Sequence, residues 1–186
     1  LPDTQVFEDI TPRLADLDHD AQNEIVTIRT DLSRGAAVAI YEMSAGKLRE
    51  RVSTTPLGQP HRWLSVAAIA DFAPDPGLEI AVVKTPHIGG RLELLSLRGR
   101  TLMSLYPARS GFQTHFIGSK DVTLATTADV DGDGFADLVL PDQSRRRVVV
   151  LGFGDGIREI LTAELPAPVA RPLRIEDGKI VALLES

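Results

Sequence analysis

Cysteine is absent from the 186-residue chain, so disulfides, thiolate metal sites and cysteine nucleophiles are excluded. The compartment stays open, because many secreted bacterial proteins also lack cysteine. Aromatic residues make up only 5%, with a single tryptophan, Trp63. No apolar stretch reaches the roughly 18 residues that a membrane-spanning helix needs. Positive charge is also short: the net charge is −6 and the sequence pI about 5.2, and Arg145-Arg146-Arg147 is the one basic run, so the footprint of a nucleic-acid binder is missing. That triplet reads as the start of a strand whose outward charges discourage edge pairing. No Gly-x-Ser-x-Gly nucleophile motif occurs, and Gly152-x-Gly154-x-Gly156 has neither the spacing nor the following helix of a dinucleotide fingerprint. The chain opens Leu1-Pro2-Asp3-Thr4 without methionine or a signal-like segment, as expected where a preceding segment has been removed.

What is present is 43% hydrophobic and 25% charged, with mean hydropathy +0.01, enough for a sizeable core in one domain or a small repeat array. The most informative stretch is Ala128-Asp129-Val130-Asp131-Gly132-Asp133-Gly134-Phe135-Ala136-Asp137-Leu138-Val139-Leu140. Aspartates 129, 131, 133 and 137 occupy positions one, three, five and nine of a glycine-containing loop, and calcium takes carboxylate oxygens in such number. The two glycines let the chain fold back at positive φ. Leu140 stands where an EF-hand needs its bidentate acid, and the following Leu-Val-Leu-Pro reads as a strand with a proline stop, so the loop joins strands.

The same spacing of acids occurs twice earlier. Asp16, Asp18, Asp20 and Glu24 keep all four charged positions but have His19 and Ala21 in place of the glycines. Asp71, Asp75 and Glu79 form a middle copy in which Ala73 removes a ligand and Pro74 and Pro76 stiffen the turn, which reads as metal-free. The first aspartates lie 55 residues apart from Asp16 to Asp71 and 58 from Asp71 to Asp129. Between them, alternating apolar runs and Gly-rich turns predict four strands per unit, with units at about 12–55, 62–108 and 120–164. A half unit at 168–186 carries an Asp177-Gly178 hairpin signal. Four antiparallel strands in about 55 residues is the size of a propeller blade, which predicts an all-β fold: a β-propeller or partial propeller of about three and a half blades.

These residues resemble the FG-GAP and VCBS-type repeats of integrin-like β-propellers, whose loops read Asp-x-Asp-Gly-Asp-Gly-x-x-Asp before a strand. Over nearly its whole length the chain is similar to bacterial repeat proteins through Arg62-Trp63-Leu64, Pro86-His87 and His115-Phe116-Ile117-Gly118. The resemblance implies structural calcium held by Asp129, Asp131, Asp133, Asp137 and the backbone carbonyl of Phe135, with Asp16, Asp18, Asp20 and Glu24 as a second, weaker site. It also implies a periplasmic or extracellular setting, where calcium is abundant. Members of that set are longer at the N-terminus, so the incomplete last blade is expected to be completed either by such strands or by a second copy of the chain.

Two functions follow as expectations. One is a binding or scaffold module for a protein or carbohydrate partner, with no catalytic residues. The other is a polysaccharide-acting enzyme or its accessory domain, built on His61, His87, His115 and Trp63 at one channel mouth. Isolated loop histidines usually anchor a connection, and a lone tryptophan usually packs between sheets. Convergence of those four side chains on one pocket favours the second reading, and scatter defeats it.

Overall fold

The computed structural model describes residues 1–186 and contains no helix, with 47% of the residues in strands. No helix long and apolar enough to cross a membrane exists. Runs such as Glu79–Lys84, in which Ile80, Ala81, Val82 and Val83 are all fully buried, cannot show polar alternation, because such a strand is covered on both faces. This is the pattern of a sheet sandwiched between two others.

The first sheet comprises β1 (Gln5–Phe7), β2 (Arg13–Ala15), β3 (Glu24–Asp31), β4 (Gly35–Ser44) and β5 (Lys47–Ser53). Here β1 and β2 share one side of β3, pairing Phe7 with Arg29 and Ala15 with Glu24. Sequence reading started this unit at residue 12 and missed β1. The inner strand is interrupted before Pro12, which has no N–H for the ladder. Across the gap Asp9 Oδ2 accepts the Ile28 N–H at 2.7 Å, replacing the missing backbone partner.

Two further meanders follow: β6 (Leu64–Ala70), β7 (Glu79–Lys84), β8 (Arg91–Arg98), β9 (Thr101–Ser104), then β10 (Thr126–Ala128), β11 (Asp137–Pro141), β12 (Arg147–Gly152), β13 (Arg158–Glu164). Each is a four-stranded antiparallel sheet in chain order. The last pair, β14 (Arg174–Glu176) and β15 (Lys179–Val181), turns through Asp177 and Gly178 at φ 50° and 70°, the primed turn that Asp-Gly favours.

The sheets stack face to face. Val26, Ile28, Val38 and Ile40 of the first sheet meet Val66, Ile80, Val82 and Leu95 of the second. From the opposite face of the second sheet, Ala81, Val83, Leu92 and Leu94 meet Leu138, Leu140, Val149 and Leu151 of the third, around an edge-to-face pair of Phe72 and Phe153. The far face of the third sheet, through Val139, Val148 and Val150, covers Val169 and Leu173.

The arginine triplet behaves differently from its expected role as a row of outward charges. Arg145 donates to the Val169 carbonyl and to Glu185, each at 2.7 Å, and lies over the Phe116 ring at 4.2 Å. Arg146 donates to the Pro166 carbonyl at 2.9 Å. The returning segment after β13 crosses the triplet, so these side chains tie the terminal hairpin to the third sheet.

In a meander successive connections alternate between the two ends of a sheet. The three acidic loops therefore occupy one rim, where they are linked by backbone bonds from Leu78 N–H to the Leu17 carbonyl (3.0 Å) and from Ala136 N–H to the Asp71 carbonyl (2.8 Å). The inter-sheet connections and the β7–β8 turn occupy the other. Replacing Phe72 by Ala would open a cavity between the second and third sheets; a loss of about 3–5 kcal/mol is expected in denaturant melts, and a loss below 1 kcal/mol would show that these two sheets are not stacked on that ring.

Candidate functional site

On the acidic rim, the first and third loops have the same backbone. His19 and Ala21 adopt φ 59° and 67° where Gly132 and Gly134 adopt 77° and 92°. Asp16 Oδ2 accepts the Ala21 N–H and Asp129 Oδ2 accepts the Gly134 N–H, at 3.0 and 3.2 Å. Asp20 and Asp133 each accept the N–H two residues on, from Gln22 and Phe135. The loss of both glycines thus left the first turn intact, with its cost taken up as left-handed backbone at His19 and Ala21. The middle loop departs, because Pro74 and Pro76 occupy the positive-φ positions and proline cannot adopt them. Its chain turns instead at Gly77, φ 104°.

A feature common to all three is the acid at position nine. Glu24, Glu79 and Asp137 are buried, and each accepts the N–H of the residue after the loop's first aspartate: Leu17 at 2.9 Å, Phe72 at 2.8 Å and Val130 at 2.7 Å. Burial is the leading cause that raises all three above the usual carboxylate range; the backbone N–H opposes it in each case, and Arg51 opposes it further at Glu24. Their compensation differs. Arg51 from β5 reaches Glu24 at 2.9 Å, Asp18 at 2.6 Å and Glu42 at 3.5 Å, itself only 11% exposed. Arg158 from β13, half exposed, reaches Asp131 at 2.7 Å and Asp133 at 3.7 Å. Glu79 is fully buried and its Oε1 has no partner, while the nearby Arg98 pairs with Asp75.

Of the residues expected to bind calcium, the structure brings Asp129, Asp131 and Asp137 together, with one oxygen from each within 4.8 Å of the others, and likewise Asp16, Asp18 and Glu24. Asp133 and Asp20 stand outside these groups, and the Phe135 backbone, expected to offer its carbonyl, donates its N–H to Asp133. An all-carboxylate set with one buried, mutually repelled member suits a hard cation, which would supply the missing positive charge. Sequence reading missed Arg51 and Arg158, because nothing local marks a strand arginine as the neighbour of a loop 27 residues away.

On the opposite rim, His87, His115 and Trp63 meet ring to ring. Trp63 stacks on His115 at 5.6 Å and meets the His87 edge at 5.2 Å; the two imidazoles are 4.6 Å apart. His61 shares a small cleft with Trp63 and His87. His19 is exposed on the acidic rim, remote from this group. Burial, together with the neighbouring His87, lowers His115 to a pKa of about 4, so the ring is neutral at physiological pH. His87 is lowered too, by burial, and neither of its ring nitrogens has a partner. Trp63 and His115 also line a cavity of about 230 Å³ with Glu8, Asp9, Ser65 and Asp121.

No protein-family model matches this chain, and no curated protein matches it.

Two outcomes test the rim with the acidic loops. Ala21→Gly relieves left-handed strain and is expected to stabilise by up to about 1 kcal/mol, whereas the same change at Ala73 is not. Glu79 has a folded pKa above its unfolded one, so the stability it contributes is complete below the unfolded value and is lost as pH rises through the folded value. Glu79→Gln should therefore raise the Tm at pH 8 and leave it nearly unchanged at pH 4; equal effects at both would contradict the buried, uncompensated carboxyl.

Proposed function

We propose that the chain is a calcium-stabilised binding or scaffold module, a propeller or partial propeller of FG-GAP/VCBS type acting outside the cytoplasm, with the ion structural. The observation that supports this reading best is the convergence of Asp129, Asp131 and Asp137 in a loop that fixes the link between the first two strands of its sheet. An ion there neutralises acids that otherwise repel and locks that link. The sheets pack in the manner of neighbouring blades, and the two-stranded β14–β15 sheet is the incomplete one, completed by further strands or a second copy.

The two convergent loops are not equivalent. Arg158 is about half exposed, and ion pairs at such exposure contribute about 0–1 kcal/mol, so a divalent ion displaces it easily. Arg51 is buried among three acids, and pulling it out would strand buried charge. The third loop is therefore the calcium site, and the first is neutralised by the protein itself.

The test is a thermal melt of chelator-treated protein with and without millimolar calcium, magnesium serving as control. Calcium at about a thousand times its Kd adds roughly 4 kcal/mol, a rise on the order of ten degrees for a chain of this size. Asp129→Ala should abolish the rise and Asp16→Ala should leave it. No rise in the unaltered protein would defeat the calcium reading and the extracytoplasmic setting inferred from it.

A second reading, a polysaccharide-acting enzyme or accessory domain, is favoured by the convergence of Trp63, His87 and His115, with His61 beside them.

A further inference from the structure

The cavity beside Trp63 is lined by Ile10, Ile28, Leu64 and Val122 together with polar groups, of which three are carboxylates and none is a lysine or arginine. Its size, about 230 Å³, holds several waters at about 30 Å³ each and falls below the 300–1,000 Å³ of drug-sized sites. One small ring fits; an extended ligand does not.

Charge narrows the ligand class. With no lysine or arginine in the lining and one carboxylate, Glu8, unpaired by an arginine, the cavity disfavours an anion. A cation would need carboxylates with free charge, yet Asp9 is paired with Arg13 at 3.1 Å and Asp121 with Arg171 at 3.3 Å. Glu8 is the single carboxylate of the three without an arginine, and it accepts from the Thr30 hydroxyl. Carboxylates held in place by arginines remain strong hydrogen-bond acceptors, as hydroxyl groups require, while carrying little net charge. The serines at 65 and 119 already donate to backbone carbonyls, which orients their lone pairs.

The aromatic wall is preorganised. Trp63 is 44% exposed, yet one face lies on the His115 ring and its flank on His87. His87 gives up hydrogen bonds at both ring nitrogens to hold that position, a desolvation cost of the kind that needs a reason in a native site. His115 is itself 8% exposed and lines the cavity, and its Nδ1 lies 3.2 Å from Thr114 Oγ1, so Nε2 is the ring nitrogen without a protein partner. An exposed tryptophan ring and aliphatic side chains lining the same cavity as three carboxylates are the complement of a ring with one apolar face and a rim of hydroxyls.

We infer that this cavity binds a single neutral pyranose unit, with Trp63 as its stacking platform and Asp9, Asp121, Glu8 and His115 Nε2 as partners for its hydroxyls. The inference deepens the carbohydrate branch of the binding-module reading and rests on that branch; because the pocket and the acidic loops lie on opposite rims, either can fail without the other.

Trp63 is the only tryptophan, so intrinsic fluorescence reports on this site alone. The probes are the methyl glycosides of glucose, galactose, mannose and N-acetylglucosamine, with methylammonium and glucuronate as the charged arms, all titrated to tens of millimolar at pH 7. The expected result is a saturable emission change with at least one neutral glycoside, at millimolar Kd, and none with either ion. Asp121→Asn should weaken it about tenfold, and Trp63→Ala, read by calorimetry, should abolish it while the Tm stays within a few degrees of the parent. Trp63→Tyr should restore part of the affinity. A response to methylammonium alone would assign the cavity to amines; a response to glucuronate alone would assign it to anions. Either result, or no response at all, overturns the inference, and the calcium melt then decides separately whether the module reading survives.

Discussion

The buried carboxylate at position nine of each acidic loop is the constraint on which this architecture depends. Its hydrogen bond to the backbone N–H after the first aspartate closes the connection between the first and second strands of a sheet, and in the first and third sheets that connection holds two or more further acids nearby. Burying a carboxylate is expensive unless charge or hydrogen bonds compensate it. The three loops resolve the same problem in three ways: an arginine drawn from β5, a carboxyl held by backbone N–H groups alone, and an open group of acids beside a weakly held arginine. The last is the one in which the proposed ion would meet the weakest competing cation.

The loops also link the sheets. Because each lies against its predecessor through a backbone bond, fixing one loop fixes the relative height of two sheets, and the apolar faces behind them then pack in register. The stack of Val, Ile, Leu and Ala side chains needs that height, since close-packed faces interdigitate and leave few voids. A cation bound at Asp129, as proposed, would act on the whole third sheet, not only on the turn that binds it.

The proposed binding cavity is set apart from this rim. The opposite rim is built from long inter-sheet connections, and it is there that the single tryptophan and the paired histidines gather. Loops on a rigid scaffold are free to carry such groups, because the ladder hydrogen bonds that hold the fold lie elsewhere. The unsatisfied nitrogens of His87 are a cost of that placement, one that sheets packed on both faces can bear.

Much of the fold was legible in the chain itself. Glu79–Lys84 and Leu64–Ala70 were readable to the residue, because apolar runs bounded by turn residues leave few alternatives, and Lys47–Ser53 was readable from the Ser44-Ala45-Gly46 turn before it. Strand β1 was not, since Gln5–Phe7 is three residues with no alternation to detect, and it exists only because β3 is long enough to pair with two short partners. The acids at positions one, three and nine were legible from spacing alone. That Asp20 and Asp133 turn aside to cap backbone, that Arg51 already fills the first group, and that Trp63 touches His87 and His115 were not. Local sequence determines which residues can form a strand or a tight acidic turn, because those depend on neighbours a few bonds away. Which charge meets which acid, and which rings share a cavity, depends on strands separated by dozens of residues, and only the stacking of the sheets decides it.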